Sequence, residues 1–157
     1  MGALRKRPVR RTRSGEYELR LSQDERALLR DLAPRMREVF ADDSDPVLER
    51  LFPVAYPEDE TRQTEYRLLA QSELLESHLA AIATLEETVD AERLDEEKLL
   101  AWMRALNEVR LVLGVRLEVS EEGDERPSSS DDPRAAAFAI YDYLTWLQGE
   151  IIDALAG

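Results

Sequence analysis

Few residues in this sequence have a type and a spacing that could do chemistry. The 157 residues contain no cysteine and one histidine, His78. Without thiols, the sequence offers no disulfide, no thiol nucleophile and no cysteine-ligated zinc or iron–sulfur site. As a general base, His78 would need a nucleophile or a carboxylate beside it, and the neighbouring Ser77 points about 100° away around a helix. The pattern favours a structural or exposed histidine, and we predict no catalytic residue.

Acidic residues are the other candidates for chemistry. Three aspartates within residues 42–45 lack the glycine and the closing glutamate of a calcium loop, so we interpret them as helix termination and capping. The acids of residues 121–125 are typical of a solvated loop. Leu75 stands where the Glu-x-x-His signature of di-metal bundles would require a glutamate before His78. We therefore predict no metal ligand, no cofactor and no enzyme, with a carboxylate-based metal enzyme as the remote alternative.

The strongest charge feature is a basic start on an acidic chain. The net charge is -13; residues 1–13 hold six bases and no acid, and residues 14–157 hold 15 bases and 34 acids, a net -19. Such an acidic body repels nucleic-acid backbones and anionic membranes. The basic start has two interpretations: a structural first strand, which we favour, or an arm that contacts a partner or, more weakly, nucleic acid. The candidate contact residues are Arg5, Lys6, Arg7, Arg10, Arg11 and Arg13.

The sequence around these arginines predicts a β-hairpin over residues 9–21. Apolar and polar residues alternate in its second half, the period of a half-buried strand, and a Ser-Gly pair precedes that half as a turn signal. A two-residue turn sets Arg13 opposite Glu16 and Arg11 opposite Glu18. Opposite charges directly across a ladder stabilise it. We therefore expect the arginines to pair with the second strand.

Helices are predicted for most of the chain after the hairpin. Ser22 and Glu25 form a capping box ahead of an apolar-periodic run, and Asp95 is a cap before another. Apolar residues then recur at three- and four-residue steps, the spacing of amphipathic helices. The predicted helices cover about 23–40, 46–52, 60–90, 96–115 and 133–155.

These elements predict a mostly α protein, a helical bundle with a short N-terminal β-hairpin. No apolar run is long enough for a membrane span, and no apolar region follows the basic start as in a secretory signal, so we expect a cytoplasmic protein. We expect a single domain over residues 1–157, with the hairpin at 9–21, helices within 22–116, an acidic flexible loop at 120–132 and a C-terminal core helix at 133–155.

Several stretches together resemble one actinobacterial family. The specific ones are Trp-Met-Arg-Ala-Leu-Asn-Glu-Val-Arg-Leu-Val-Leu-Gly-Val-Arg-Leu at 102–117 and Ala-Ile-Tyr-Asp-Tyr-Leu-Thr-Trp-Leu-Gln at 139–148. Residues 10–21, with their Arg-Arg-Thr-Arg opening, and residues 25–32 add to the likeness. The chain is similar to AosR-like oxidative-stress regulators, formerly a domain of unknown function often encoded beside the ClpS protease adaptor.

The resemblance implies a non-enzymatic regulator that works through protein–protein contacts with a sigma factor and RNA polymerase. Gene neighbourhood in the family supplies an alternative, a Clp-protease-linked adaptor. The characterised regulators sense oxidants through a cysteine pair, and this sequence contains no cysteine. We therefore expect stress-related transcription regulation without a thiol switch in this member.

Overall fold

The computed structural model describes residues 7–41, 60–117, 131–132 and 134–157. The predicted mostly α fold with a short N-terminal β-hairpin is confirmed, and the hairpin is part of a small three-stranded sheet. The predicted short helix at 46–52 and the acidic run at 120–130 lie outside the described residues. The strands are β1 (Val9–Arg11), β2 (Tyr17–Leu19) and β3 (Arg93–Leu94), and the helices are α1 (Gln23–Ala41), α2 (Glu60–Thr88), α3 (Glu96–Arg116) and α4 (Ala135–Ala156).

The helix starts follow the local capping signals. The Ser22 side chain accepts a hydrogen bond from the Glu25 backbone N–H at 3.1 Å, and the Glu25 carboxylate accepts one from the Ser22 N–H at 3.2 Å. This reciprocal pair confirms the predicted capping box. The Asp95 side chain accepts from the Lys98 N–H at 2.8 Å, which confirms Asp95 as the cap of α3. Each cap satisfies an N–H that has no partner inside its helix.

The hairpin belongs to a three-stranded antiparallel sheet of order β1-β2-β3. The third strand, only two residues long, comes from the segment between α2 and α3 and was not predicted. It pairs with the central strand β2 across more than 70 residues of sequence. The paired residues are Val9 with Leu19, Arg10 with Glu18 and Arg11 with Tyr17, then Tyr17 with Leu94 and Glu18 with Arg93.

The predicted register of the hairpin is wrong by one residue. Arg10, and not Arg11, lies opposite Glu18. Arg13 lies in the turn and therefore has no cross-strand partner, whereas the prediction set it opposite Glu16.

A longer turn explains the shift. The Thr12 N–H donates to the Glu16 carbonyl at 2.8 Å, and the Gly15 N–H donates to the Thr12 carbonyl at 3.1 Å. Gly15 has φ 87°, a left-handed conformation that favours glycine. These features define a three-residue loop in which a type I turn is followed by a glycine bulge. The loop is one residue longer than the two-residue turn, which changes the residue opposite each arginine.

The core lies between the sheet and the helices. Helix α3 packs against both α2 and α4, α1 packs against α2, and α4 also contacts β1. At its centre the Trp102 ring is fully buried, and its Nε1–H donates to the Thr88 hydroxyl at 2.6 Å. No helix in the described ranges is both long and apolar enough to cross a membrane. Other fully buried side chains are Leu29, Leu85, Leu94, Leu99, Leu106, Leu144, Leu147 and Ile151.

Candidate functional site

The outer face of the sheet collects charged side chains. Because neighbouring residues of a strand point to opposite faces, Arg10, Glu18 and Arg93 form one row across the three strands. The inner face carries buried apolar side chains such as Tyr17 and Leu19. The outer side chains of Arg10 and Arg93 are 54% and 56% exposed. The sheet therefore presents guanidinium groups to solvent from a fixed backbone.

Glu18 is the acid at the centre of this row. Its carboxylate accepts hydrogen bonds from Arg20 at 2.8 Å and from Arg10 at 3.1 Å. The Arg20 hydrogen bond, and then that of Arg10, hold the pKa of Glu18 below its usual value. Arg93 lies 3.8 Å from the Glu16 carboxylate. The carboxylates of Glu16 and Glu18 thus lie among the arginines of the outer face.

The structure places the predicted contact residues in different positions. Arg5 and Lys6 lie outside the described residues. Arg10 is part of the outer row, whereas Arg7, Arg11 and Arg13 are exposed and form no ion pair with any described residue. We call the solvent-accessible arginines around the sheet the arginine face, although Arg11, opposite Tyr17, lies on the other side of the ladder from Arg10, and Arg20 is only 30% exposed. The set comprises Arg7, Arg10, Arg11, Arg13, Arg20 and Arg93.

Two members of the arginine face, Arg20 and Arg93, were missed by sequence reasoning. The strand period places residues 18 and 20 on one face, so that signal for Arg20 was available. Arg93 reaches the face through a pairing between distant parts of the chain, for which a two-residue strand gives no local pattern. The predicted cluster therefore extends beyond the N-terminal segment.

A different arginine, Arg26, is buried where the sheet meets the helix ends. Its Nη1 donates to the carbonyls of Val89 at 2.6 Å and Ala91 at 2.9 Å. Its Nε and Nη2 donate to the carbonyls of Leu21 at 3.3 Å and Leu19 at 3.4 Å. The charge also faces the C-terminal end of α2, where the helix dipole favours a cation. The sequence signal was the position of Arg26 on the buried stripe of α1 that continues through Leu29, Ala33, Met36 and Phe40.

The single histidine is buried between α2 and α3. His78 Nδ1 is hydrogen-bonded to the Glu108 carboxylate, and Arg104 Nε lies 3.4 Å from the same oxygen. The Phe40 ring stacks on the imidazole with centroids 5.4 Å apart. Burial lowers the pKa of His78, and the Arg104 charge lowers it further, so the neutral imidazole donates its Nδ1–H to Glu108.

The pair of His78 and Glu108 has the groups of a general base, but solvent and substrates can hardly reach it. The His78 side chain is only 10% exposed and that of Glu108 only 3%. Glu108 Oε2 is buried without a hydrogen-bond partner, which makes the carboxylate costly to bury. Glu108 was not predicted; its position at the edge of the buried stripe of α3 was the only signal. Within the part of the chain that the structure describes, no cluster of His, Cys, Asp and Glu side chains is suited to hold a metal ion.

Comparisons with known proteins identify a family to which this chain is similar. A family model described as "Domain of unknown function (DUF2017)" matches residues 6–155. The chain is 34% identical over 133 residues to proteins named "Oxidative stress regulator AosR" from Mycobacterium bovis and Mycobacterium tuberculosis, covering 72% of this chain and 59% of each relative. A "Putative oxidative stress regulator AosR" from Mycobacterium leprae is 33% identical over 131 residues, covering 71% and 58%. The matched region thus spans less than two thirds of these relatives, and no solved structure matches.

Proposed function

The chain belongs to the DUF2017 family and is a relative of the AosR oxidative-stress regulators, and from this we propose that it is a non-enzymatic regulator acting through protein–protein contacts. The regulatory role is supported by the names of its relatives. The proposed partner is the transcription machinery, a sigma factor or RNA polymerase, in the cytoplasm. The proposed contact surface is the arginine face.

One observation carries this proposal: the sheet and the segments beside it display arginines that no described residue neutralises. Arg7, Arg11 and Arg13 make no ion pair with any described residue, although residues 14–157 have a net charge of -19. A protein with 34 acids has ample means to pair surface arginines. Arginine is also enriched in the energetic centres of protein interfaces. The arrangement therefore favours an intermolecular role for these side chains.

The pattern of charge favours an acidic protein surface over nucleic acid. Glu16 and Glu18 lie among the arginines, where they would face a phosphate backbone, and the acidic body would repel it as well. A protein partner can place carboxylates against the arginines and leave the two glutamates uncovered. Bidentate pairs between guanidinium and carboxylate groups give such a contact its geometric specificity.

The test is binding of purified RNA polymerase holoenzyme from the native host, measured in solution at two salt concentrations. The triple variant Arg7→Glu, Arg11→Glu and Arg13→Glu should weaken binding by at least about tenfold. Arg35→Glu is the matched control, because this residue of α1 is exposed and has no ion pair with a described residue. Equal loss in both variants, or no binding of the wild type, would contradict the proposal.

Two further reagents separate the alternatives. Binding to a purified Clp chaperone in place of the polymerase would identify the chain as a proteolysis-linked adaptor. Binding to duplex DNA alone, with an affinity that falls steeply with salt, would indicate that the arginines form a nucleic-acid arm. Either outcome replaces the transcription-machinery proposal.

We propose further that oxidation of this chain does not switch binding through thiols. The 157 residues contain no cysteine, so neither a disulfide nor a sulfenic acid can form within them. Met36 is 3% exposed, and a sulfoxide there would disturb the core. Partner affinity should be the same before and after mild peroxide, with intact mass recorded alongside. A reversible, reductant-sensitive change without methionine oxidation would contradict this.

A further inference from the structure

The arginine face divides into charges that the chain pairs and charges that it leaves unpaired. On the outer side of the sheet, Arg20 and Arg10 donate hydrogen bonds to the Glu18 carboxylate at 2.8 and 3.1 Å. Arg93 lies 3.8 Å from the Glu16 carboxylate on the same side. The outer row is therefore largely neutralised within the chain, and a partner that covered it would compete with these internal carboxylates.

The unpaired arginines lie at the hairpin turn instead. Arg11 is opposite Tyr17, so its side chain starts on the inner side of the ladder, and it is exposed at the end of β1. Arg13 lies in the turn and is exposed as well. Neither forms an ion pair with any described residue. The free positive charge of the hairpin is thus at its turn, not on the outer row.

This turn projects beyond the rest of the sheet. The third strand reaches only to Leu94, opposite Tyr17, and residues 13–16 are all exposed. At about 3.4 Å per residue of strand, the turn extends roughly 7 Å past that last pair. We call residues 11–15 the hairpin tip. A narrow projection whose free charges lie away from its outer face is suited to a recess more than to a flat surface.

The hairpin tip has one shape before any partner binds. Besides the two backbone hydrogen bonds of the turn, the Thr12 hydroxyl donates to the Glu16 carbonyl at 3.0 Å and is hydrogen-bonded to the Ser14 hydroxyl at 2.9 Å. Gly15 supplies the left-handed residue that the loop requires. Because the backbone of the tip is fixed in advance, binding costs less conformational entropy than it would for a loose loop.

We propose that the hairpin tip enters a recess of its protein partner that is lined by carboxylates, with Arg11 and Arg13 against the recess walls. This inference rests on the proposed function, because the partner is the transcription machinery proposed above. Each guanidinium would form a bidentate pair with a carboxylate, and exclusion of water from the recess would strengthen these pairs. The outer row stays in solvent, which keeps Glu18 away from the partner's acids.

The lack of cysteine makes the tip directly observable, since one introduced thiol can be labelled alone. Ser14→Cys carries a nitroxide at the tip, and Glu92→Cys carries one at an exposed site just before β3, at the end of the sheet away from the turn. Addition of RNA polymerase holoenzyme from the native host to the full chain should immobilise the label at residue 14. The same label should become shielded from a water-soluble relaxation agent. The label at residue 92 should stay mobile and accessible.

Charge variants locate the contact independently of the labels. The double variant Arg11→Gln and Arg13→Gln should weaken holoenzyme binding at least about tenfold. Arg35→Gln, an exposed arginine of α1, is the matched control and should bind within about twofold of wild type. Circular dichroism of the labelled and substituted proteins checks that each keeps the fold.

Each other outcome overturns the inference in a recognisable way. Shielding of the label at residue 92 together with that at residue 14 would mean that the partner lies flat on the sheet, and the proposed function would stand without the recess. A label at residue 14 that stays mobile in the complex would also remove the recess. No binding of the wild type would contradict the proposed function itself and the recess with it. Shielding of the tip by duplex DNA alone would make nucleic acid the occupant.

Discussion

Arg26 and the arginine face use the same side chain in opposite ways within a few residues of sequence. Arg26 directs its donors inward to four backbone carbonyls and is 7% exposed. Arg11 and Arg13 direct theirs to solvent and pair with no described residue. The difference shows that the number of arginines in a segment says little about function; what each guanidinium faces decides whether it stabilises the fold or contacts a partner.

The largest effect is expected at Arg26. Arg26→Ala leaves buried carbonyls of the sheet and of the α2 end without donors, and each unsatisfied group is costly. The free energy of unfolding should fall by about 4 kcal/mol. Urea unfolding followed by circular dichroism measures it. Arg35→Ala on the same helix should change it by less than about 0.5 kcal/mol. Similar small effects of both would remove the contrast between buried and exposed arginines.

The two sides of α4 give a second contrast of the same kind. Leu144 is fully buried, whereas Trp146 two residues later is 36% exposed. Leu144→Ala should cost about 3 kcal/mol, because a cavity remains in the core. Trp146→Ala should cost less than Leu144→Ala, because Trp146 already lies partly in solvent and its loss leaves no closed cavity. Equal losses of stability in the two variants would mean that Trp146 belongs to the core.

A smaller effect, one of pH, distinguishes the buried hydrogen-bonded pair of His78 and Glu108 from an exposed ion pair. The pKa of His78 is lowered by burial, so between that pKa and about 6.5 the unfolded chain binds more protons than the folded one. This contribution to stability is present above pH about 6.5 and is lost as the pH falls through the folded pKa. Urea unfolding at several pH values should show this loss, and His78→Gln should flatten it.

The exposed pair of Arg37 and Glu86 is the control for this pH dependence. The Arg37 hydrogen bonds, at 2.7 and 3.0 Å, lower the pKa of Glu86. Its contribution is therefore present above the ordinary glutamate pKa and is lost only at lower pH. Glu86→Gln should leave the loss between pH 7.5 and 5.5 unchanged. If Glu86→Gln flattened the curve while His78→Gln behaved like wild type, the pH dependence would belong to the Arg37–Glu86 pair. The prediction for His78 would then be wrong.

The smallest effect on stability is expected on the arginine face. The double variant Arg11→Glu and Arg13→Glu should change the free energy of unfolding by less than about 0.5 kcal/mol, because neither residue is ion-paired within the described chain. Arg10→Glu should cost more, since it loses the pair with Glu18. Thermal unfolding of the three proteins checks the order. A larger loss from the double variant would favour the predicted register over the observed one.

Local signals were predictable from sequence and long-range ones were not. The capping box at Ser22 and the Asp95 cap depend on residues three apart, so a short pattern contains the whole interaction. The hairpin was predicted, but a turn one residue longer changed its register. The contacts of Arg26 with Val89 and Ala91, and that of His78 with Glu108, join residues 30 to 65 positions apart. Only the places of Arg26, His78 and Glu108 on buried helical stripes hinted at them.

The surface side chains divide in the same way. A charge count alone located Arg10, Arg11 and Arg13, because six bases without an acid are visible in any reading of the first 13 residues. The C-terminal helix over 133–155 was predicted as a core helix, and the side of α4 that faces solvent, which carries Trp146, was not predicted. Packing of α4 against α3 and β1 fixes that side, and packing is a property of the folded chain.

The contacts of Arg26 also bear on how relatives of this protein can diverge. All four of its acceptors are main-chain carbonyls, which every amino acid supplies. The hydrogen bonds that hold the sheet to α1 therefore do not depend on which outward-facing side chains the sheet carries. Substitutions can therefore replace exposed arginines with acidic or apolar residues, while the backbone of the sheet keeps its geometry. New binding specificities could arise on this small sheet without a loss of foldability.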